Sequence, residues 1–373
     1  MALTLLLLLI VVALAFEFIN GFHDTANSIA TVVATKVLTP VQAVGLAATM
    51  NLIGAMFGDA VAKTISSGLV DANVVTITSG VLLCALLAAI VWNLVTWWWG
   101  LPSSSSHALI GGLCGAAVAA AGGNTAALVW AQSADPWYKG TGLWYKVVVP
   151  MISSPIIGFT LGVMIMGLLF AIIAAMARSG GWLARLARPR FVNAFFGKAQ
   201  LLSAAYMGFA HGLNDAQKTM GIIALALFGA QTVGTLDGLP DILGFMHPDT
   251  DASAGIDTWI KVTCALVMAA GTAAGGWRII KTLGHKMVKL HPIHGFAAET
   301  ASATILSGAA MLGMPVSTTH SISTAIMGVG FAKRSNALRW NVVERILWAW
   351  VFTIPVTAAL AYALVVAVRL TGL

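Results

Sequence analysis

Asp24 and Asp215 each lie deep inside an apolar run, where a carboxylate without a partner costs several kcal/mol on insertion scales. The plainest account of either is a residue that breaks a helix and is satisfied by nearby backbone N–H groups. Their matched surroundings argue for more. Gly21-Phe22-His23-Asp24-Thr25-Ala26-Asn27 lines up with Gly212-Leu213-Asn214-Asp215-Ala216-Gln217-Lys218. A carboxylate kept from water can take up and release a proton or hold a cation. His23, Asp24, Asn27 and Asp215 are therefore the candidate set for a proton or cation.

A second pair of motifs follows in the same order. Pro102-Ser103-Ser104-Ser105-Ser106-His107 matches Pro315-Val316-Ser317-Thr318-Thr319-His320, and Ser153-Ser154-Pro155 matches Thr353-Ile354-Pro355 more weakly. A proline, several hydroxyl residues and then apolar sequence mark the start of a helix. Ordinary N-capping explains one such cluster. Two that face each other would offer hydroxyls, free first-turn N–H groups and the positive ends of two helix dipoles to an anion. Ser104, Ser105, Ser106, Ser317, Thr318 and Thr319, with Asn214 and Lys218, form the candidate anion-binding set. Lys218 stands where the first copy has Asn27, so one half offers an amide and the other a fixed cation. That charge can neutralise Asp215 or meet an anion, and it occupies a place where a small metal ion would otherwise fit. His107 and His320 either orient the hydroxyls or bond a neighbouring helix.

The elements that position these residues are membrane helices. Of 373 residues, 59% are hydrophobic and only 9% charged, against about a quarter charged in soluble domains. So few charges cannot cover a water-soluble surface. Residues 2–35 would make a helix about 50 Å long, too long for a ~30 Å hydrocarbon core, and Gly21–Asp24 is the expected break. The run Leu3 to Phe16 lacks the basic flank and cleavage site of a removed signal, and reads as a membrane segment. The fold expected is all-α and polytopic, with about 10–12 transmembrane segments and broken helices.

Loop charges orient it. Residues 178–198 hold Arg178, Arg185, Arg188, Arg190 and Lys198 and no acid, and 278–291 hold Arg278, Lys281, Lys286 and Lys289 and no acid. Residues 231–257 hold Asp237, Asp241, Asp249, Asp251 and Asp257 and no Lys or Arg. Basic loops stay cytoplasmic, which puts 231–257 and both termini outside. An odd number of crossings per half turns the second copy upside down. Residues 1–177 and 199–373 are then inverted repeats joined by a basic cytoplasmic linker, 178–198, an arrangement typical of secondary transporters with a site near midplane.

The net charge of +7 sits in short loops, so topology explains it and no nucleic-acid partner is implied. Cys84, Cys114 and Cys264 lie singly in apolar sequence without metal spacing. Trp97–Trp99, Trp348 and Trp350 read as an interfacial belt. Glu17, Asp59, Lys63 and Glu299 are further charges in apolar surroundings that lack repeat partners. A Ser/His hydrolase finds no support. There is no G-x-S-x-G or H-E-x-x-H, and adjacent Ser106 and His107 on one helix point about 100° apart.

At Gly21–Asn27, Gly212–Lys218, Pro102–His107 and Pro315–His320 the chain resembles the inorganic phosphate transporter family over essentially its whole length. His23 and the pair Gln217-Lys218 depart from the sodium-coupled pattern and look like the bacterial low-affinity, proton-coupled branch. The resemblance implies import of phosphate with protons across a bacterial-type inner membrane, partly as a neutral metal–phosphate complex. It further implies an elevator-like homodimer, no enzymatic activity and no bound cofactor. It places Asp24, Asn27, Asp215 and Lys218 in the site with Ser104–Ser106 and Ser317–Thr319. Sulfate permeation and sodium-coupled phosphate symport are the alternatives. Phosphate at neutral pH keeps a proton to donate to a carboxylate and sulfate does not, which favours phosphate.

Overall fold

A computed structural model describes residues 2–237, 239–248, 255–334 and 337–371; Asp249 and Asp251 of the acidic loop lie outside the described residues. The described chain is helical, with two isolated β-bridges and no strand. Its first half runs α1 (Ala2–Ala34), α2 (Pro40–Ala55), α3 (Ala60–Ser67), α4 (Ser79–Trp99), α5 (Ser105–Ala120) and α6 (Val149–Arg178). After the short α7 (Gly181–Leu186) come α8 (Pro189–Thr232), α9 (Thr258–Ala274), α10 (Trp277–Lys281), α11 (Pro292–Met311), α12 (Thr318–Lys333) and α13 (Trp340–Leu370). Helices α1, α4, the run Trp144–Arg178 and α13 are each long and apolar enough to cross a membrane, or six spans if two bent pairs count as one each.

The break expected at Gly21–Asp24 is absent. Helix α1 runs unbroken through Gly21–Asp24, and α8 runs unbroken through Gly212–Lys218. These glycines serve close packing. A Cβ on Gly21 would stand 2.5 Å from the Met268 carbonyl oxygen of α9, and one on Gly212 would stand 2.2 Å from the Asn51 carbonyl oxygen of α2. Small residues at such crossings let helix backbones approach. The bends fall in the partners instead, 68° between α2 and α3 and 57° between α9 and the helical segment that opens with α10. Gly58 and Gly275, at φ +74° and +73°, supply the positive-φ backbone there.

Helix α8 is 44 residues long, about 66 Å, yet carries too many polar residues to read as a plain span. Gln200, Ser203, His211, Asn214, Asp215, Gln217, Lys218 and Thr219 are all buried, so its polar face is turned into the protein. It packs on α1, α2, α3 and α11. Packing is reciprocal elsewhere. Helix α5 lies on α13 and α12 on α6, while α1 lies on α9 as α2 does on α8. Both α6 and α13 carry an interior proline, Pro155 and Pro355.

Candidate functional site

The two hydroxyl clusters do start helices, and in the same way. Ser104 caps α5 by accepting the His107 N–H at 3.1 Å, and Ser317 caps α12 by accepting the His320 N–H at 3.1 Å. Those two side chains are thus held in the capping role that was the plain reading, with their own hydrogens still able to donate. The turns that lead into them are anchored in parallel. Thr282 donates to the Gly100 carbonyl at 2.8 Å, and Thr64 donates to the Gly313 carbonyl at 2.7 Å.

The residues just inside the two starts meet α1 and α8 crosswise. From α1, the Asn27 amide donates to Thr318 Oγ1 at 3.1 Å and Thr319 Oγ1 at 2.9 Å, both on α12. From α8, Lys218 Nζ donates to Ser106 on α5, to Asp215 on its own helix, and to the Val316 carbonyl at 3.2 Å. Helix α12 also links the carboxylates, because Thr318 donates to Asp215 Oδ2 at 3.2 Å and Thr319 to Asp24 Oδ1 at 3.4 Å. Asn214 reaches the Met314 carbonyl at 3.4 Å. Among the described residues the Ser105 hydroxyl and the amide oxygens of Asn27 and Asn214 have no hydrogen-bond partner. All twelve residues expected at the site are present in this cluster or at its two helix starts, and none is more than 3% exposed. The cluster is therefore closed to solvent on both sides.

Each carboxylate is backed by a histidine. His23 Nδ1 lies 2.8 Å from Asp24 Oδ1, and its Nε2 lies 3.1 Å from Thr96 Oγ1, which bonds Ser103 at 2.8 Å. His211 Nε2 lies 3.3 Å from Asp215 Oδ2, and its Nδ1 lies 3.1 Å from Asn51 Oδ1. The Asn51 amide then donates to Thr272 at 2.9 Å. Sequence reasoning missed His211, although its place one helical turn before Asp215 was a readable signal. One ligand atom from each of Asp24, His211 and Asp215 lies within 4.8 Å of the others.

Two more roles were not foreseen. Gln217 faces away from the cluster. Its Oε1 accepts from Val61 N at 2.8 Å and Ala62 N at 3.3 Å, capping α3 where Asp59 makes no side-chain cap bond. His107 and His320 contact each other, ring centroids 4.7 Å apart, and His320 lies 3.9 Å from the Trp350 ring. Trp350 is accordingly no belt residue, a correction to the expectation. It is buried and donates to the Pro102 carbonyl at 3.0 Å, while Trp348 is exposed. Two residues apart on a helix they point about 200° apart, so both cannot face lipid. Trp98 and Trp99 are exposed as expected.

Long apolar helices around a buried polar cluster of paired helix starts and carboxylates are the build of an integral membrane transport protein, and its family and relatives are transporters, not enzymes. The chain belongs to the phosphate transporter family, whose profile matches residues 20–361. It is 44% identical over 358 residues to the "Probable low-affinity inorganic phosphate transporter" of Bacillus subtilis, covering 96% of this chain and 95% of that one. It is 43% identical over 362 residues to the protein of the same name from Rhizobium meliloti, covering 97% and 96%. Its fold is similar to that of a solved structure, "The sodium-dependent phosphate transporter", with TM-score 0.77 at 23% identity over 98% of this chain and 99% of that one.

Proposed function

We propose that this phosphate transporter is a secondary active, low-affinity importer that moves inorganic phosphate together with protons. The observation that carries the reading is the crosswise cluster, in which the starts of α5 and α12 converge with Asp24 and Asn27 of α1 and Asp215 and Lys218 of α8. Ser105 and Ser106 keep free hydroxyl hydrogens for a tetrahedral oxyanion, and Thr318, Thr319 and Lys218 add donors when it displaces their present acceptors, with Ser104, Ser317 and Asn214 beside them. Asp24 and Asp215 accept the hydrogen that phosphate retains, which sulfate lacks. The low-affinity relatives support phosphate as cargo. Lys218 supports protons over sodium. A fixed cation 4 Å from a sodium ion would repel it by about 4 kcal/mol at an effective dielectric near 20. Reconstituted protein should take up labelled phosphate, with arsenate competing and sulfate not. Equal competition by sulfate and arsenate would remove phosphate as the selected anion.

The topology follows in the same proposal. Residues 1–177 and 199–373 are inverted repeats about a cytoplasmic linker, supported by the reciprocal packing of α5 on α13 and α12 on α6 and by the matched anchoring of the two helix starts. The basic and acidic segments lie at opposite ends of α8, which supports basic-inside orientation in an inner membrane with both termini outside. A closed site calls for a moving half, consistent with an elevator-like homodimer. Cysteines placed in 231–257 should label from outside and those in 178–198 should not; the reverse pattern overturns the orientation.

One observation favours a second reading of the cargo. Asp24, His211 and Asp215 present two carboxylates and an imidazole to one point, a donor set suited to a divalent cation travelling as a neutral metal–phosphate complex. Uptake of labelled metal that requires phosphate, in one-to-one ratio, supports it; phosphate uptake indifferent to divalent ions removes it.

A further inference from the structure

Glu17 belongs to none of these readings. It lies in α1 two turns before Asp24 and is completely buried. Thr219, next to Lys218 on α8, donates to its Oε2. The Asn20 amide, one turn along the same helix, lies beside the carboxyl; among the described residues Oε1 has no hydrogen-bond partner of ordinary geometry, and the Asn20 amide oxygen likewise has no donor. Among the described residues no cation is within ion-pair distance of Glu17. Lys218 faces it from α8, but all three of its hydrogens go to Ser106, Asp215 and the Val316 carbonyl. The other titratable groups that face it are Asp215 on α8 and Cys264 on α9. Helix α4, which also packs on α1, carries no charged side chain.

Glu299 on α11 is the contrast. Thr31 at 2.5 Å and Gln200 at 3.1 Å donate to its Oε1, and Ser203 donates to its Oε2. Three donors suit an anion. Glu17 has the Thr219 hydroxyl, the Asn20 amide beside it on its own helix, a bare oxygen and no ion-paired cation, so its carboxylate form is held by fewer donors than that of Glu299. In the acid form its own O–H supplies the hydrogen that the bare acceptors lack. An ionisable residue so placed inside a membrane protein is a functional candidate by default.

We propose that Glu17 is a proton-binding site of the transport cycle, on the α1 N-terminal side of the phosphate cluster. Its carboxylate gains one proton from water when that side is open and gives up the same proton when the other side is open; no other bond changes. This rests on the proton-symport reading above. Glu17→Gln keeps the volume and an acceptor for Thr219 but cannot titrate.

The test uses purified protein in liposomes with the membrane potential clamped at zero. Each coupled proton permits about tenfold accumulation per pH unit, since one unit is worth about 1.4 kcal/mol. The unmodified protein should accumulate phosphate under a one-unit gradient and also exchange it at equal pH. Glu17→Gln should show no accumulation while exchange persists. Accumulation equal to that of the unmodified protein would overturn the proposal, and so would loss of exchange together with accumulation, which marks a structural role. If the unmodified protein ignores the pH gradient, the symport reading itself has failed. Should Glu17→Gln not assemble, Thr219→Val decides. Removing the donor to the anion moves the pH of half-maximal uptake upward, and an unmoved midpoint overturns the assignment.

Discussion

Asp24 and Asp215 occupy matched places in the two halves, yet they are compensated differently. Asp24 has the His23 ring at 2.8 Å and, among the described residues, no lysine or arginine within ion-pair reach. Asp215 has the His211 ring at 3.3 Å and a buried ion pair with Lys218. One half therefore carries a carboxylate whose charge depends on protons or on cargo, while the other carries one neutralised by its own helix. Positions matched in sequence need not share a chemical role. On the proposed proton-coupled reading, the charge difference divides the work between proton binding near Asp24 and anion holding near Lys218.

The largest expected effect follows from separating the pair. Asp215→Asn strands Lys218 as a buried unpaired cation, a change that costs about 3–5 kcal/mol. Both uptake and the thermal unfolding midpoint in detergent should fall. Adding Lys218→Met should restore the midpoint without restoring uptake; a midpoint that stays low would show that the pair is not what stabilises the site. Asp24→Asn comes next. It should abolish accumulation with the midpoint close to that of the unmodified protein, since no fixed cation is stranded. Accumulation that survives would return Asp24 to a structural role. Lys218→Asn gives both halves the same residue and removes a charge-assisted donor worth about 1.5–3 kcal/mol. The half-saturating phosphate concentration should rise by about tenfold or more, and an unchanged value would place the anion elsewhere. The smallest effect belongs to Gln217→Ala. Loss of the α3 cap should cost about 1 kcal/mol of stability and leave half-saturation unaltered.

Much of the site was legible because the chemistry recurs in sequence. Matched Gly…Asp and Pro-Ser/Thr-His motifs named the carboxylates, Lys218 and the helix starts. Sequence did not show which partner Lys218 would choose, because Ser106 is 112 residues away and only the fold brings it near. It misplaced one break, since Gly21–Asp24 read locally as a helix breaker, whereas α9 presses against Gly21, as α2 does against Gly212, and uses its lack of a side chain. Trp350 was misjudged for a similar reason. Composition marks an aromatic as suited to the interface, but its hydrogen bond to Pro102 depends on where α13 meets the start of α5.

Coupling is the central claim, and flux in proteoliposomes tests it most directly. Labelled phosphate uptake is measured at zero membrane potential with an imposed inward proton gradient, first in sodium medium and then with sodium replaced by potassium or choline. The account predicts uptake that follows the pH gradient and ignores the replacement. Uptake that collapses without sodium and does not respond to the proton gradient would contradict it, leaving a phosphate transporter coupled to another ion.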